Sequence, residues 1–474
     1  MISTPLRQAY SPRRLGLVAM AATVALVVAG CSSSSKSSAN SSATAAGTSS
    51  AAGPSATSAA PAPATSAATS AATSAAPSSA SSTASSATGA VTDYVAYTGG
   101  TAGPADTSKS PVTIGWVNQQ GGPLGFPAAT DGAEAAVKYV NSHLGGIGGH
   151  PLALSTCFVA ANEQEGNACG LKLVNDANVK AVLYGTLFAG NQSFQAVNKG
   201  QKPVLMANSI SPVDSSAQNV YIYNGNPSSI FGGLASYIAT VLKAKTVAVI
   251  YPQDAQSQAG VASLKKALDL EKVAMTAVGF DPSSTNLTSA AVAAGAKTAD
   301  VVVPLVSTPP ACIASAKALG SLGVKAPIVA TGAFCFGGPV AQGLGGQAPN
   351  WQELSTQTNV ADSSQPDVQA YLSASTGAGL SAASQATSDA ALAWALVLTA
   401  DRFLNAAGGA DATPTSVATA AKAFTGPMLL GSGTIKCGSY PSQPGLCGAQ
   451  TRVFEHTGGV NFKALTDWIP PVGM

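Results

Sequence analysis

Short apolar runs recur along the chain from Pro111 onward, and segments with apolar residues at helical spacing separate most of them. The runs are rich in β-branched residues, are bounded by Gly, Asn or Pro, and do not alternate strictly with polar residues. Runs of this kind are typical of parallel strands that helices cover on both faces. The predicted strands are Val112–Val117, Leu152–Thr156, Ala181–Tyr184, Val204–Met206, Val247–Tyr251, Ala274–Phe280, Val301–Val306 and Ile328–Thr331.

The intervening segments have the pattern of amphipathic helices. In the first one Ala133, Val137 and Val140 fall on one face, while Glu134 and Lys138 fall on the opposite face. Alternating strands and helices over residues 111–225 and 245–345 predict an α/β fold with two doubly wound parallel-sheet lobes. The later helices are predicted at Pro366–Leu372, Ser384–Asn405 and Thr415–Phe424.

The N-terminal 30 residues have the pattern of an export signal. A basic stretch precedes Leu15–Ala29, which would span about 22 Å as a helix and is too short for the ~30 Å core of a bilayer. The sequence Val28-Ala29-Gly30-Cys31 resembles the bacterial lipobox, in which the cysteine is lipidated and becomes the mature N-terminus. We therefore expect a lipoprotein signal peptide at residues 1–30 and a lipid anchor on Cys31. The alternative is an ordinary signal peptide followed by a chance cysteine.

A low-complexity segment follows the signal. Residues 32–90 are nearly all Ser, Ala, Thr, Pro and Gly, with one charge and no aromatic residue. Such a segment cannot bury enough apolar area to offset its ordering entropy. We expect residues 31–110 to form a disordered, lipid-anchored linker that holds a folded domain away from a membrane. The alternative is a segment without function that arose by neutral sequence drift, and it would be equally disordered.

Composition excludes two classes of protein. The net charge of +2 with only 9% charged residues offers no basic face for nucleic-acid phosphates, so no nucleic-acid partner is expected. The 46% apolar fraction is rich in alanine and interrupted by polar residues, which excludes a polytopic transporter.

Six cysteines remain after Cys31, and an even number in an exported chain indicates three disulfides. Six cysteines allow 15 pairings, of which sequential pairing is the simplest. No CxxC spacing occurs, which disfavours a zinc site or a thioredoxin-like site. The cysteines in question are Cys157, Cys169, Cys312, Cys335, Cys437 and Cys447.

The segments that follow the predicted strands supply amides, hydroxyls and backbone groups, with Asp254 as their one charge. Such groups orient a ligand through hydrogen bonds. They provide no general base, no nucleophile paired with a base and no set of metal ligands. We expect His143, His150 and His456 to be surface or turn residues. The sequence therefore predicts no catalytic residue, no metal site, no cofactor and no enzyme activity.

Over residues 111 to about 460 the chain resembles the type I periplasmic binding proteins, specifically the leucine/isoleucine/valine-binding-like substrate-binding lipoproteins of ABC transporters. The matching motifs are Val112-Thr113-Ile114-Gly115, Asp131-Gly132-Ala133-Glu134-Ala135-Ala136-Val137, Gly145-Gly146-Ile147-Gly148-Gly149, Val182-Leu183-Tyr184-Gly185, Lys202-Pro203-Val204 and Gly426-Pro427. The resemblance implies two lobes joined by a three-strand hinge, with the ligand held in the cleft. It places lobe 1 at residues 111–226 and 345–440 and lobe 2 at residues 227–344 and 441–474.

The resemblance also implies a ligand site at the carboxyl ends of the strands. The expected ligand residues are Gln119, Thr186, Leu187, Phe188, Ala189, Asn208, Ser209, Ser211, Gln256, Ser307, Thr308, Gly332 and Ala333. Phe188, Phe334 and Trp116 are candidates for apolar walls, although aromatic residues near strand ends also fill cores.

Three departures from the family pattern bear on the ligand. Ala189 stands where amino-acid-binding members have a hydroxyl for the ligand carboxylate, although Ser211 retains a second hydroxyl. No acid lies near residues 306–308 to anchor an ammonium group, and Gln256 stands where an aromatic residue closes the site. An unpaired buried ammonium group costs several kcal/mol, so an ordinary α-amino acid is doubtful. We expect a neutral or weakly polar small molecule.

Two function classes follow. The first is a monomeric extracytoplasmic solute receptor, lipid-anchored to the bacterial cell membrane, that delivers its ligand to an ABC-type permease. The second is a ligand-sensing or surface-interaction lipoprotein with the same fold and no transport role. A neighbouring permease and ATPase gene pair would favour the first class, and a neighbouring sensor kinase gene would favour the second.

Overall fold

Two sheets of mainly parallel strands form the framework of the chain. The computed structural model describes residues 89–122, 124–458 and 462–474. The expected signal peptide, the Cys31 lipidation site and the linker as far as residue 88 lie outside the described residues. The strands are β1 Val112–Gln119, β2 Leu152–Val159, β3 Val179–Tyr184, β4 Val204–Asn208, β5 Val220–Gly225, β6 Thr246–Pro252, β7 Ala274–Phe280, β8 Val301–Pro304, β9 Val329–Thr331, β10 Gln352–Ser355, β11 Thr425–Pro427, β12 Thr434–Lys436, β13 Arg452–His456 and β14 Phe462–Ala464.

Helices alternate with most of these strands. They are α1 Tyr94–Thr98, α2 Pro127–His143, α3 Glu163–Val174, α4 Asn191–Asn198, α5 Pro212–Ser216, α6 Pro227–Ser236, α7 Ala255–Leu270, α8 Thr288–Ala293, α9 Pro309–Ser321, α10 Gly338–Gly343, α11 Pro366–Gly377, α12 Ala382–Gln385, α13 Ser388–Ala406 and α14 Pro414–Lys422. Short turns of 3-10 helix lie at Ala333–Cys335 and Gly409–Asp411, and a π-helical turn, Tyr237–Val241, extends α6. In the part of the chain described above, no helix is both long enough and apolar enough to span a membrane.

The first sheet has five parallel strands in the order β2-β1-β3-β4-β5. Helices α2 and α13 cover one face, where Trp116 and Trp394 are fully buried. Helices α3 and α4 cover the other face, around Leu173 and Phe194. Burial on both faces explains why these strands are continuous apolar runs, and it confirms the predicted α/β class.

Helices α2 and α13 approach each other closely at Gly132. A Cβ atom at this position would lie 2.3 Å from the carbonyl oxygen of Ala390, so a larger residue would push the two helices apart. This contact brings the N-terminal turns of both helices together, and α2 begins just after the carboxyl end of β1. The start of α13 therefore lies at the same edge of the first sheet.

The second sheet starts with three parallel strands in the order β7-β6-β8, and a bridge between Val302 and Ile328 connects β8 to the segment that leads into β9. It continues as β9-β10-β13-β14, in which β10 is parallel to β9 while β13 and β14 run antiparallel to their neighbours. The strand at β10 has the sequence Gln-Glu-Leu-Ser and carries no apolar run, so the pattern of the sequence did not indicate it.

The chain crosses between the two sheets three times. The first crossing follows β5, because β5 pairs in the first sheet and the next helix, α6, packs in the core of the second. The strand β10 pairs in the second sheet and Leu446 forms a bridge to Ile222 in the first, so the other two crossings follow Ser355 and Leu446. Both lie later in the chain than the boundaries expected at residues 344–345 and 440–441.

The expectation that the linker extends to residue 110 is wrong. Residues 89–105, which we call the strap, pack against the first sheet's helices and contain α1. Tyr94 and Tyr97 are buried in the core, and the Tyr97 hydroxyl lies 2.9 Å from that of Thr399 on α13. The guanidinium of Arg402 donates to the Tyr97 carbonyl at 2.6 Å. These large apolar rings distinguish the strap from the preceding Ser/Ala/Thr-rich residues.

The expectation for His456 is also wrong, because this residue is buried at the end of β13. Its Nε2 lies 2.7 Å from a carboxylate oxygen of Glu353 on β10, and both residues are at most 5% exposed. The ring of Phe336 stacks on the imidazole with 3.6 Å between centroids. The pair joins neighbouring antiparallel strands that lie 103 positions apart in the chain, which a search for short motifs cannot detect.

Three disulfides join the cysteines in sequential pairs, which confirms the simplest pairing. Cys157–Cys169 links β2 to α3, Cys312–Cys335 links α9 to the turn after β9, and Cys437–Cys447 closes the loop that follows β12. Each disulfide fixes the two segments that it joins relative to each other.

Asp401 on α13 gives a prediction about stability and pH. Its side chain is 0% exposed, one oxygen accepts from Asn405 at 2.7 Å, and the other has no partner among the described residues. Burial raises the pKa of this carboxyl well above its ordinary value. The folded state therefore holds the proton more tightly, and the stability that Asp401 contributes below pH ~3.9 is lost as the pH rises.

We expect Asp401→Asn to raise the free energy of unfolding at pH 7 by at least about 1 kcal/mol, since one pKa unit corresponds to ~1.36 kcal/mol. The gain should shrink toward pH 4, where the aspartate of the wild type is protonated as well. Urea unfolding of residues 89–474 at the two pH values measures this. Equal destabilisation at both values would contradict the expectation.

Candidate functional site

Amide side chains at the end of β1 hold the loop that follows β3. Asn118 Oδ1 accepts from the Thr186 backbone N–H at 3.1 Å, and Gln119 Oε1 accepts from the Phe188 N–H at 2.8 Å. Asn118 Nδ2 also donates to the Phe126 carbonyl at 2.8 Å. Asn118 and Gln119 are buried, so these bonds satisfy amides that would otherwise be costly to bury. The loop at residues 185–190 is therefore held in one arrangement.

Three phenylalanine rings meet at the carboxyl ends of the two sheets, and we call them the aromatic cluster. Phe126 and Phe188 from the first sheet's loops stack with 5.5 Å between centroids. Phe334, which follows β9 in the second sheet, contacts Phe188 edge-on, with 6.3 Å between the ring centroids. All three rings are half-buried, so part of their apolar surface is exposed at this edge.

Trp116 does not belong to this surface. Its ring is 0% exposed, and its indole N–H donates to the Thr130 hydroxyl at 3.1 Å. The candidate wall at this position is therefore a core residue, because Trp116 on β1 points toward α2 and α13.

An acidic side chain that the sequence did not place in the site lies beside Thr186. The Thr186 hydroxyl donates to Asp389 Oδ1 at 2.5 Å. Asp389 occupies the first turn of α13 and is half-buried. Burial raises the pKa of the Asp389 carboxyl, and the hydrogen bond from Thr186 opposes that rise. The two residues are 203 positions apart, so no local motif links them.

A second buried carboxyl lies beneath the loop after β4. Asp214 accepts from Asn191 at 2.8 Å, from Gln195 at 3.1 Å and from the Ser209 hydroxyl at 3.1 Å. Burial raises the pKa of Asp214 to about 6, although the three hydrogen bonds favour the ionised form. Ser209 thus supports the loop that carries Ser211, and its buried hydroxyl is bonded within the chain.

The structure places the remaining expected ligand residues as follows. Asn208 accepts from the hydroxyl of Thr356, which follows β10 at the second crossing, at 2.9 Å. Leu187 is buried in the core between the first sheet and α3–α4, and Gln256 is exposed in α7. The half-buried members of the set are Ala189, Asn208, Ser211, Ser307, Thr308, Gly332 and Ala333.

The loops at this edge combine apolar rings with hydrogen-bonding groups. The described residues contain no group of three or more His, Cys, Asp or Glu side chains that could hold a metal ion. A groove of 720 Å³ between α13 and α14 and one of 440 Å³ beside α4 and α5 include none of the expected ligand residues. The site thus consists of the aromatic cluster, backbone and amide groups, hydroxyls and one carboxyl.

A comparison with protein-family models gives a match that spans most of the chain. The family model described as "Periplasmic binding protein" matches residues 111–447. A comparison with curated proteins finds no significant match.

Solved structures share the fold at low sequence identity. A leucine-binding protein LivK from Thermotoga maritima is 14% identical with a TM-score of 0.61, and the match covers 77% of this chain and 100% of that one. LivJ from Streptococcus pneumoniae, in complex with isoleucine, is 17% identical with a TM-score of 0.60, and the match covers 77% and 100%. A solute-binding protein of an ABC transporter from R. palustris, in complex with 4-hydroxybenzoate, is 16% identical with a TM-score of 0.59, and the match covers 76% and 95%.

Proposed function

This chain belongs to the periplasmic binding protein family, and from that premise we propose that it is an extracytoplasmic solute-binding lipoprotein of an ABC transporter. It captures a small, neutral or weakly polar ligand between its two lobes and delivers the ligand to a membrane permease. The neighbours of this fold hold isoleucine in one case and 4-hydroxybenzoate in another, so the architecture accepts small molecules of different polarity.

The observation that carries the proposal is the contact between Phe188 and Phe334. These rings come from different sheets and meet where the carboxyl ends of the strands face each other. A small molecule at this edge contacts apolar rings from both lobes, and backbone and amide groups nearby orient it. The ligand residues are therefore proposed at the loops after β1, β3, β4, β8 and β9.

The proposal is tested by thermal-shift measurements on residues 89–474 with a library of small metabolites that includes neutral, anionic and cationic compounds. A ligand that binds only the folded state adds about 2.7 kcal/mol of stability at a hundredfold excess over its Kd. We expect at least one chemical class to raise the Tm. A library without any stabilising compound would contradict ligand capture.

The lipid anchor gives a separate prediction. We propose that Cys31 carries the lipid. We also propose that residues 32–88, which separate Cys31 from the strap in the sequence, act as the tether. In the full-length chain, Cys31→Ser should move the protein from the membrane fraction to the soluble fraction of bacterial cells. Fractionation followed by mass spectrometry of the mature N-terminus measures this, and unchanged membrane association of the variant would contradict the anchor.

The alternative is a ligand-sensing or surface-interaction lipoprotein with the same fold. It predicts ligand binding and lipidation as well, but no uptake defect when the gene is deleted. Uptake of the ligand by deletion and wild-type cells separates the two functions.

A further inference from the structure

Asp389 supplies what the loops after the strands lack, a charged acceptor at the carboxyl edge of the first sheet. The first turn of α13 reaches this edge because Ala390 packs on Gly132 near the start of α2. Thr186, which holds Asp389, lies two residues before Phe188 of the aromatic cluster. The carboxyl therefore lies in the loop region where the two sheets face each other.

Within the described residues, only one of the two carboxyl oxygens of Asp389 accepts a hydrogen bond. Oδ1 accepts the Thr186 hydroxyl at 2.5 Å. Oδ2 accepts no hydrogen bond from the described residues and is not among the fully buried polar atoms without a partner. Asp389 thus keeps an accessible acceptor, while the Thr186 hydroxyl has already donated its proton and can only accept from a ligand.

Resting on the proposed function, we infer that Asp389 is a specificity-determining residue that selects ligands with a hydrogen-bond donor beside an apolar body. A hydroxyl or amide N–H reaches Oδ2 while the body contacts the aromatic cluster. A ligand carboxylate at the same position meets a like charge and two acceptors without a donor, so anionic ligands are excluded there. The raised pKa of Asp389 fits this role, because a partly desolvated carboxyl gains from an added donor.

The test compares three probes that share a benzene ring, namely benzyl alcohol, benzamide and benzoate, by titration of residues 89–474 at pH 7.5. We expect the wild type to bind the two donors at least about tenfold more tightly than benzoate. Asp389→Asn should weaken the donors about tenfold and reduce the discrimination against benzoate. A purely structural role for Asp389 would change the Tm but not this preference.

Asp401→Asn is the matched control, since it makes the same substitution in the same helix within the core. It should leave the order of the three affinities unchanged. Benzoate binding as tight as benzamide binding in the wild type, or an unchanged preference in Asp389→Asn, would overturn the role of Asp389. If none of the three probes binds while another library compound does, the ligand class is overturned and the binding function stands. If no compound binds at all, both fail.

Discussion

Removal of the strap is expected to abolish cooperative folding of the first lobe. A fragment that starts at Pro111 lacks Val91, Tyr94 and Tyr97, all of which are buried against α2 and α13. Loss of one large buried side chain costs ~3–5 kcal/mol, and the total stability of a domain is about 5–15 kcal/mol. The fragment 111–474 should therefore unfold at a much lower urea concentration than the fragment 89–474, or fail to fold.

Point variants test the contribution of one buried side chain while the strap keeps its full length. Tyr97→Phe keeps the ring and removes the hydroxyl with its hydrogen bond to Thr399, and such a bond is worth about 1 kcal/mol. Tyr97→Ala also removes the ring and should cost about 3–5 kcal/mol. Equal urea midpoints for the fragments 89–474 and 111–474 would show that the strap contributes nothing to the fold.

Truncation of either ring at the lobe-to-lobe contact is expected to weaken ligand binding by about tenfold or more. Phe188→Ala and Phe334→Ala each remove an aromatic surface that a ligand would bury, and each half-buried ring contributes on the order of 1.5 kcal/mol or more when fully covered. Isothermal titration with a stabilising compound from the metabolite library measures the loss.

Tyr139→Ala is the matched control for this experiment. Tyr139 is a half-buried aromatic residue on α2, 12 positions after Pro127 and thus about 18 Å along the helix from the edge that carries the site. It should lower the Tm and leave the ligand affinity unchanged. An equal loss of affinity in all three variants would mean that the losses report on general destabilisation.

The parts of the fold that the sequence predicted correctly are those in which local pattern and burial agree. Strands such as β3 and β8 are covered on both faces, so they are short apolar runs that stand out from their surroundings. The sequential pairing of the cysteines was the simplest of the 15 possible pairings, and the structure has it because each pair lies on segments that are close in the chain.

The parts that the sequence did not predict depend on contacts between distant segments. The strand β10 is stabilised by its neighbours, and its buried Glu353 is compensated by His456 from β13. The sequence pattern predicts a linker that includes the strap, because the two tyrosines of the strap follow directly on a long low-complexity segment. Asp389 reaches the candidate site through the packing of α13 on α2, which no spacing in the sequence encodes.

A crystal structure of residues 89–474 with a stabilising compound tests the central claim most directly. Ligand density between the carboxyl ends of the two sheets, in contact with both Phe188 and Phe334, is the expected result. Density confined to the outer groove between α13 and α14, or to one lobe with no contact to the other, would contradict capture of the ligand between the lobes.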